Sequence, residues 1–188
     1  MVCGAAAACV DLGPIGQQTL DTSELLILPL QSGAPTVAAA SFTVPNGQSS
    51  THQLLHTDAF NTVYFEIRVP AGAFASVNGD PVSPTGSVTI TVQPRPGAYG
   101  FTLSPSGVEF VSASRPSVLL SFGQYGDFSA ADGSPTYPSR VDYLDALSLW
   151  LEVSPGRWQR VSGSGAQGID ELGATIREPG SYVVAAPR

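Results

Sequence analysis

The 188 residues contain no lysine, and all eight basic side chains are arginines. That absence removes a phosphate-loop lysine, a Schiff-base lysine and a Ser-x-x-Lys acylating pair together, because each depends on the ε-amine. Cysteine is almost as scarce: Cys3 and Cys9 are the only two, both within the first nine residues. A disulfide closing so short a loop would constrain little of the unfolded chain. Charge is thin as well, at 12% Asp, Glu, Lys and Arg against about 25% in ordinary domains. Net charge is −7, and Arg68, Arg95, Arg115, Arg140, Arg157, Arg160, Arg177 and Arg188 are scattered along the chain, which argues against a phosphate-binding surface and nucleic acid as a partner. No apolar run approaches the ~18 residues of a membrane-spanning helix, so membrane contact is expected only through an N-terminal lipid.

What the sequence does hold is turn chemistry. Twenty glycines and sixteen prolines punctuate short apolar stretches, the pattern of many strands joined by tight connections. The clearest period of two runs over residues 62–69: Val63, Phe65, Ile67 and Val69 share one face, and Tyr64, Glu66 and Arg68 the other. Residues 87–92 repeat it with threonines outward, and residues 116–122 give a strand of mixed polarity. In residues 147–153, Leu147, Leu149, Leu151 and Val153 are expected on the core side with Trp150 outward. Ser154-Pro155-Gly156-Arg157 then turns the chain into a return strand from Trp158. Two short strands around Pro179-Gly180 close the chain. Residues 25–30 are apolar with Pro29 inside, which assigns them to an edge strand. Asn46-Gly47 after Pro45 marks a turn. Only residues 140–147 carry a short helical pattern. The expected fold is all-β: an antiparallel Greek-key sandwich, Ig-like, of about nine strands. Residues 24–188 form its single domain, and residues 1–23 a processed or flexible tether.

The tether contains Ala6-Ala7-Ala8-Cys9, a run of small residues before a cysteine, which resembles the cleavage box of a bacterial lipoprotein, with Cys9 as the lipidated residue. The competing reading is an Ala-rich tail without processing. A second resemblance rests on Val69-Pro70-Ala71-Gly72-Ala73, the strand at residues 88–92, Leu103-Ser104-Pro105-Ser106-Gly107-Val108-Glu109-Phe110, and the strand at residues 116–120. Trp158 and Gly180-Ser181-Tyr182-Val183-Val184 follow in the expected order. Over residues 60–186 the chain is similar to the β-sandwich domain shared by ankyrins, netrin receptors and zonula-occludens proteins. The resemblance implies a binding or scaffolding module. Some members cleave themselves at a His-Phe-Ser step. Here Glu178-Pro179-Gly180-Ser181 stands at that place, so self-cleavage is not expected and no catalytic residue carries over.

Three groups of side chains remain as candidates for chemistry. His52 and His56, evenly spaced with Asp58 close behind, nominate a metal site or a minor metal-dependent hydrolase, although a site needs a further ligand in fixed geometry. A serine hydrolase would need a serine beside one of the histidines, and the sequence has no Gly-x-Ser-x-Gly elbow. Asp127, Asp132, Asp142 and Asp145 fall in or after the irregular segment 123–138, where calcium competes with turn capping as the reading. Glu66 and Glu109 are formally a carboxylate pair for glycoside hydrolysis, with nothing in sequence to set their separation. Trp150 and Tyr64, outward by parity, with Tyr125, Tyr137 and Tyr143, would form a flat aromatic platform for a sugar or a protein if exposed. The expectation is a non-enzymatic structural or protein-interaction domain of the cell envelope (periplasmic, cell-surface or secreted), without cofactor. It would bind a protein or glycan partner. The alternatives are a carbohydrate-binding module and a subunit of an extracellular assembly that donates residues 25–30 as an added strand.

Overall fold

The computed structural model describes residues 18–168 and 170–188, which form short strands, one α-helix and two 3-10 turns. In chain order these are β1 (Thr19–Asp21), β2 (Leu25–Ile27), β3 (Ala40–Pro45), β4 (Ser50–Leu55), β5 (Val63–Val69), β6 (Phe74–Val77), β7 (Asp80–Pro81), β8 (Ser87–Pro94), β9 (Gly100–Ser104), β10 (Val108–Phe110), β11 (Ser117–Ser121), α1 (Arg140–Ala146), β12 (Ser148–Ser154), β13 (Arg157–Arg160), β14 (Gly165–Ala166), β15 (Glu171–Thr175) and β16 (Gly180–Pro187). The count exceeds the expected nine because β1, β2, β7, β10 and β14 are two or three residues long, too short to show a period of two.

Two antiparallel sheets carry the fold. The larger has the order β1-β13-β12-β16-β9-β8-β3, with β2 added to β16, and the smaller the order β14-β15-β11-β5-β4. A third, small sheet joins β10, β6 and β7. Alternate residues of the two large sheets meet in one core: Val88, Ile90, Val92, Phe101, Leu103, Leu149 and Val184 from one side, Phe65, Ile67, Val118, Leu120 and Leu172 from the other. The Phe65 and Phe101 rings, 4.6 Å apart, join the sheets, and Phe101 stacks on Tyr182 at 4.9 Å. This is the sandwich the alternation implies.

Asn46 in the turn after β3 is buried, not solvated. Its amide donates to the Phe74, Val82 and Ser83 carbonyls and its Oδ1 accepts the Phe74 N–H at 3.0 Å, which ties the small sheet to the sandwich. The α1 helix begins on Ser139, whose hydroxyl accepts from the Asp142 N–H while Asp142 accepts from the Ser139 N–H, a reciprocal cap.

Two expectations change at the N-terminal end. The tether does not extend to residue 23: Thr19, Leu20 and Asp21 pair with Gln159, Trp158 and Arg157, and Leu20 packs on an apolar cluster beneath. Nor are residues 25–30 a free donor strand. Leu25, Leu26 and Ile27 pair with Pro187, Ala186 and Ala185 of the same chain, and Leu25, Leu26 and Leu28 are buried. Cys9 lies outside the described residues. The β12–β13 hairpin forms as expected, with Gly156 at a positive φ of 75° in its turn. Val153, however, is the extra residue of a bulge, since Glu152 pairs with Trp158 and Ser154 with Arg157. It therefore leaves the core face and is 47% exposed.

Candidate functional site

Four of the nominated side chains come together at one end of the smaller sheet: His56, Asp58, Tyr64 and Tyr125. The cause is a bulge in β5. Leu54 pairs with Phe65 but Leu55 pairs with Val63, so Tyr64 is the unpaired extra residue and its ring turns into the core instead of outward. Its hydroxyl donates to the Gly100 carbonyl at 2.6 Å and accepts the Gly100 N–H at 3.0 Å. Burial pushes the phenol up to about 12. The ring stacks on Tyr99 at 5.3 Å and packs edge-on with His56 at 5.4 Å, while Tyr125 also packs on His56 at 4.5 Å.

Asp58 organises the loop between β4 and β5. Its carboxylate accepts the N–H groups of Phe60 (3.1 Å) and Thr62 (2.9 Å) and the Tyr125 hydroxyl (2.8 Å). Hydrogen bonds from Thr62, first its side chain and then its backbone, hold the carboxyl well below the usual carboxylate range, and the bond to Asp58 in turn raises the Tyr125 phenol. The loop is pinned again where the Thr36 and Thr57 hydroxyls meet at 2.9 Å and the Thr57 N–H donates to the Thr36 carbonyl. Phe60 at its tip is 84% exposed.

The metal expectation fails on distance. His52 and His56 do share a parity on β4, but four residues of strand separate their Cα atoms by roughly 13 Å, whereas ligands of one ion sit about 2 Å from it. His56 Nδ1 is spent on the Pro35 carbonyl at 3.0 Å, and its buried Nε2 has no hydrogen-bond partner. No group of three metal-ligating side chains exists among the described residues. His52 instead stacks on Phe42 at 4.5 Å, with Nε2 3.1 Å from the Ser50 hydroxyl and its pKa lowered by burial. This is a serine beside a histidine, at a spacing of two on one strand. The Phe42 ring lies against the imidazole, and among the described residues no carboxylate hydrogen-bonds it to complete a triad.

The aromatic platform also fails, because Trp150, Tyr64, Tyr137 and Tyr143 are buried and only Tyr125 is partly exposed. Trp150 keeps its outward parity yet is fully buried: Leu25, Trp158, Val183 and Ala185 surround it, and its Nε1 donates to the Ala185 carbonyl at 3.0 Å. Tyr137 and Tyr143 pack 5.5 Å apart around α1, their hydroxyls donating to the Pro187 and Leu26 carbonyls. Of the acidic candidates, Asp127 caps the turn Phe128–Ala131 through Ser129, and Asp142 caps α1. Glu66 accepts from Gln53 at 2.7 Å and Arg68 at 2.6 Å on the smaller sheet, while Glu109 accepts from Ser76 on the small third sheet. They are committed to separate structural bonds and do not form one carboxylate pair.

A groove of about 530 Å³ opens beside Tyr64, walled by residues 30–37 on one side and by Pro94, Arg95, Pro96 and Gly97 on the other. Of the side chains nominated from sequence for chemistry, only Tyr64 lines it. The Arg95 guanidinium lies 5.2 Å over the Trp158 ring and 3.7 Å from Glu152. The chain matches no family model, no curated protein and no solved structure.

Proposed function

We propose that the chain is a non-enzymatic protein-interaction domain of the cell envelope, held there through a lipid on Cys9. The observation that carries the interaction reading is Phe60, 84% exposed at the tip of a loop whose backbone Asp58 ties down by two N–H bonds and a third bond to Tyr125. A loop ordered before it meets a partner loses little conformational freedom on binding. A large aromatic side chain held out on such a loop has the form of an anchor that fills a partner's pocket. The envelope address is supported by Ala6-Ala7-Ala8-Cys9, and the interaction reading also by the resemblance of residues 60–186 to scaffolding sandwiches.

The test is fractionation of source cells with the intact mass of the recovered chain, followed by crosslinking in whole cells of the native chain and Phe60→Ser. The expected result is an acylated chain starting at Cys9 in the envelope fraction, with a crosslinked partner that Phe60→Ser loses while its melting temperature holds. An unmodified chain in the cytosol overturns the address. A crosslink unchanged by Phe60→Ser overturns the anchor.

A further inference from the structure

We infer that the free edge of β4 is a strand-pairing surface for a second copy of this chain. The inference deepens the interaction reading by naming a partner, but it rests on different residues. Every open sheet presents unpaired N–H and C=O groups at its edges, and proteins blunt them with short strands, charge or proline. The other ends here are blunted in these ways. The β1 edge has three residues including Asp21, β14 has two, and β3 ends in Pro45; in the third sheet β7 contains Asp80 and Pro81, and β10 contains Glu109. Only β4, among the described edge strands, has six residues with neither charge nor proline.

Its hydrogen-bonding sides follow from the ladder. The His56 N–H donates toward β5, to the Thr62 carbonyl at 2.8 Å, whereas the next N–H, of Thr57, points the opposite way and donates to Thr36. Antiparallel alternation then directs the N–H and C=O of Thr51 and Gln53 to the side where, among the described residues, no neighbouring strand lies. Thr36 already occupies the same edge beyond Leu55, which shows that the edge accepts backbone pairing. That contact and the β5 bulge both sit at the Leu55 end, so Thr51 and Gln53 have neither protection.

Charge selects the occupant. The chain carries a net −7, yet residues 25–57 contain no Asp, Glu, Lys or Arg. Two copies meeting over the segments that carry the acidic side chains bring like charges together. Meeting along β4 they do not. Identical antiparallel strands pair about a twofold axis, the commonest symmetry of homo-oligomers, and extend the smaller sheet from each copy into one sheet.

The test is sedimentation of the full chain from about 1 to about 100 µM, a range that populates weak contacts, with Thr51→Pro and a control, Thr85→Lys, in an exposed turn. Because the Thr51 N–H points away from β5, proline there removes an outward donor and no ladder bond. Expected are a doubled mass for the native chain and the control, and a dissociation constant raised at least about tenfold by the proline. Hydrogen exchange of the native chain gives a second reading free of any folding defect. The Thr51 and Gln53 amides should exchange as fast as exposed loop amides when dilute and become protected when concentrated. A monomer over the whole range, a dimer indifferent to Thr51→Pro, or amides indifferent to concentration each overturns the proposal. None of these results bears on Cys9 or Phe60, whose tests read location and anchoring.

Discussion

Trp150 and Tyr64 start alike, as aromatic residues at outward positions of strongly alternating strands, and end buried by different means. Trp150 stays on the outer face of its sheet, and the segment from β1 to β2 comes back over it with Leu20, Leu25 and Ile27, so the cover is remote in sequence. Tyr64 needs no cover because the β5 bulge moves it to the other face, where it pins β9 through Gly100. Alternation therefore assigns a face, whereas exposure depends on what crosses that face and on where the ladder slips. The two sites should fail differently when altered. One is a volume packed between layers, and the other is a polar bond inside a core.

The largest effect is expected at Trp150. Trp150→Ala removes a fully buried ring and the bond to Ala185, a class of change that costs about 3–5 kcal/mol, measured by chemical denaturation. If the segment from β1 to β2 is the true cover, Leu25→Ala should cost about 2–4 kcal/mol while leaving the core beneath Leu149 and Leu151 intact, visible as retained amide protection in β5 and β11 of the remaining native state. A loss at Trp150 below about 1 kcal/mol, the range of ordinary surface changes, would show that this segment does not close.

Tyr64→Phe comes next. It keeps the ring stack on Tyr99 but strips the hydroxyl that serves both the N–H and the carbonyl of Gly100; the carbonyl keeps the Arg95 N–H, while the buried Gly100 N–H loses its acceptor at a cost of about 1–3 kcal/mol. The phenol also gives the native chain an alkaline limit. Its pKa is raised to about 12 in the fold from about 10 when unfolded, so its contribution is complete below about pH 10 and is lost as pH rises toward 12. Stability of Tyr64→Phe should fall less between those values than that of the native chain.

Asp58 sharpens the same comparison from the acid side. Its pKa is depressed in the fold, so the stability it lends is present above the unfolded value of about 3.9 and is lost as pH falls below it. Melting temperatures taken downward from about pH 5 should drop more steeply for the native chain than for Asp58→Asn, whose amide does not titrate in that range. Equal slopes would mean that the loop is held without the charge.

Much of the architecture was legible in the sequence, and the errors have identifiable causes. The strands at residues 62–69, 87–92 and 147–153, the β12–β13 turn and the short helix near Arg140 were readable because each carries its own pattern. Strands of two or three residues have no period to read, and β1 was mistaken for a tether because pairing with β13, 136 residues from Thr22 to the Trp158 ring it caps, leaves no local trace. The site was less legible. His52 and His56 share a parity, but on a strand that spacing spreads side chains that a helix would gather. Nothing near Tyr64 in sequence announces the bulge, and nothing near Trp150 announces its cover.

The smallest effect belongs to a third kind of outward position, one with neither cover nor bulge. Thr43 on β3 faces out beside Thr89, their hydroxyls 3.3 Å apart, as Ser41 does beside Thr91 at 2.8 Å. Both threonines are exposed, so water replaces either hydroxyl at little cost, and valine keeps the branched shape that strands favour. Thr43→Val should change stability by no more than about 0.5 kcal/mol in either direction, by the same denaturation assay. A loss of well over about 1 kcal/mol would place this face in the class of Trp150, covered by something beyond its own strand, because only a buried hydroxyl with a lost partner costs that much.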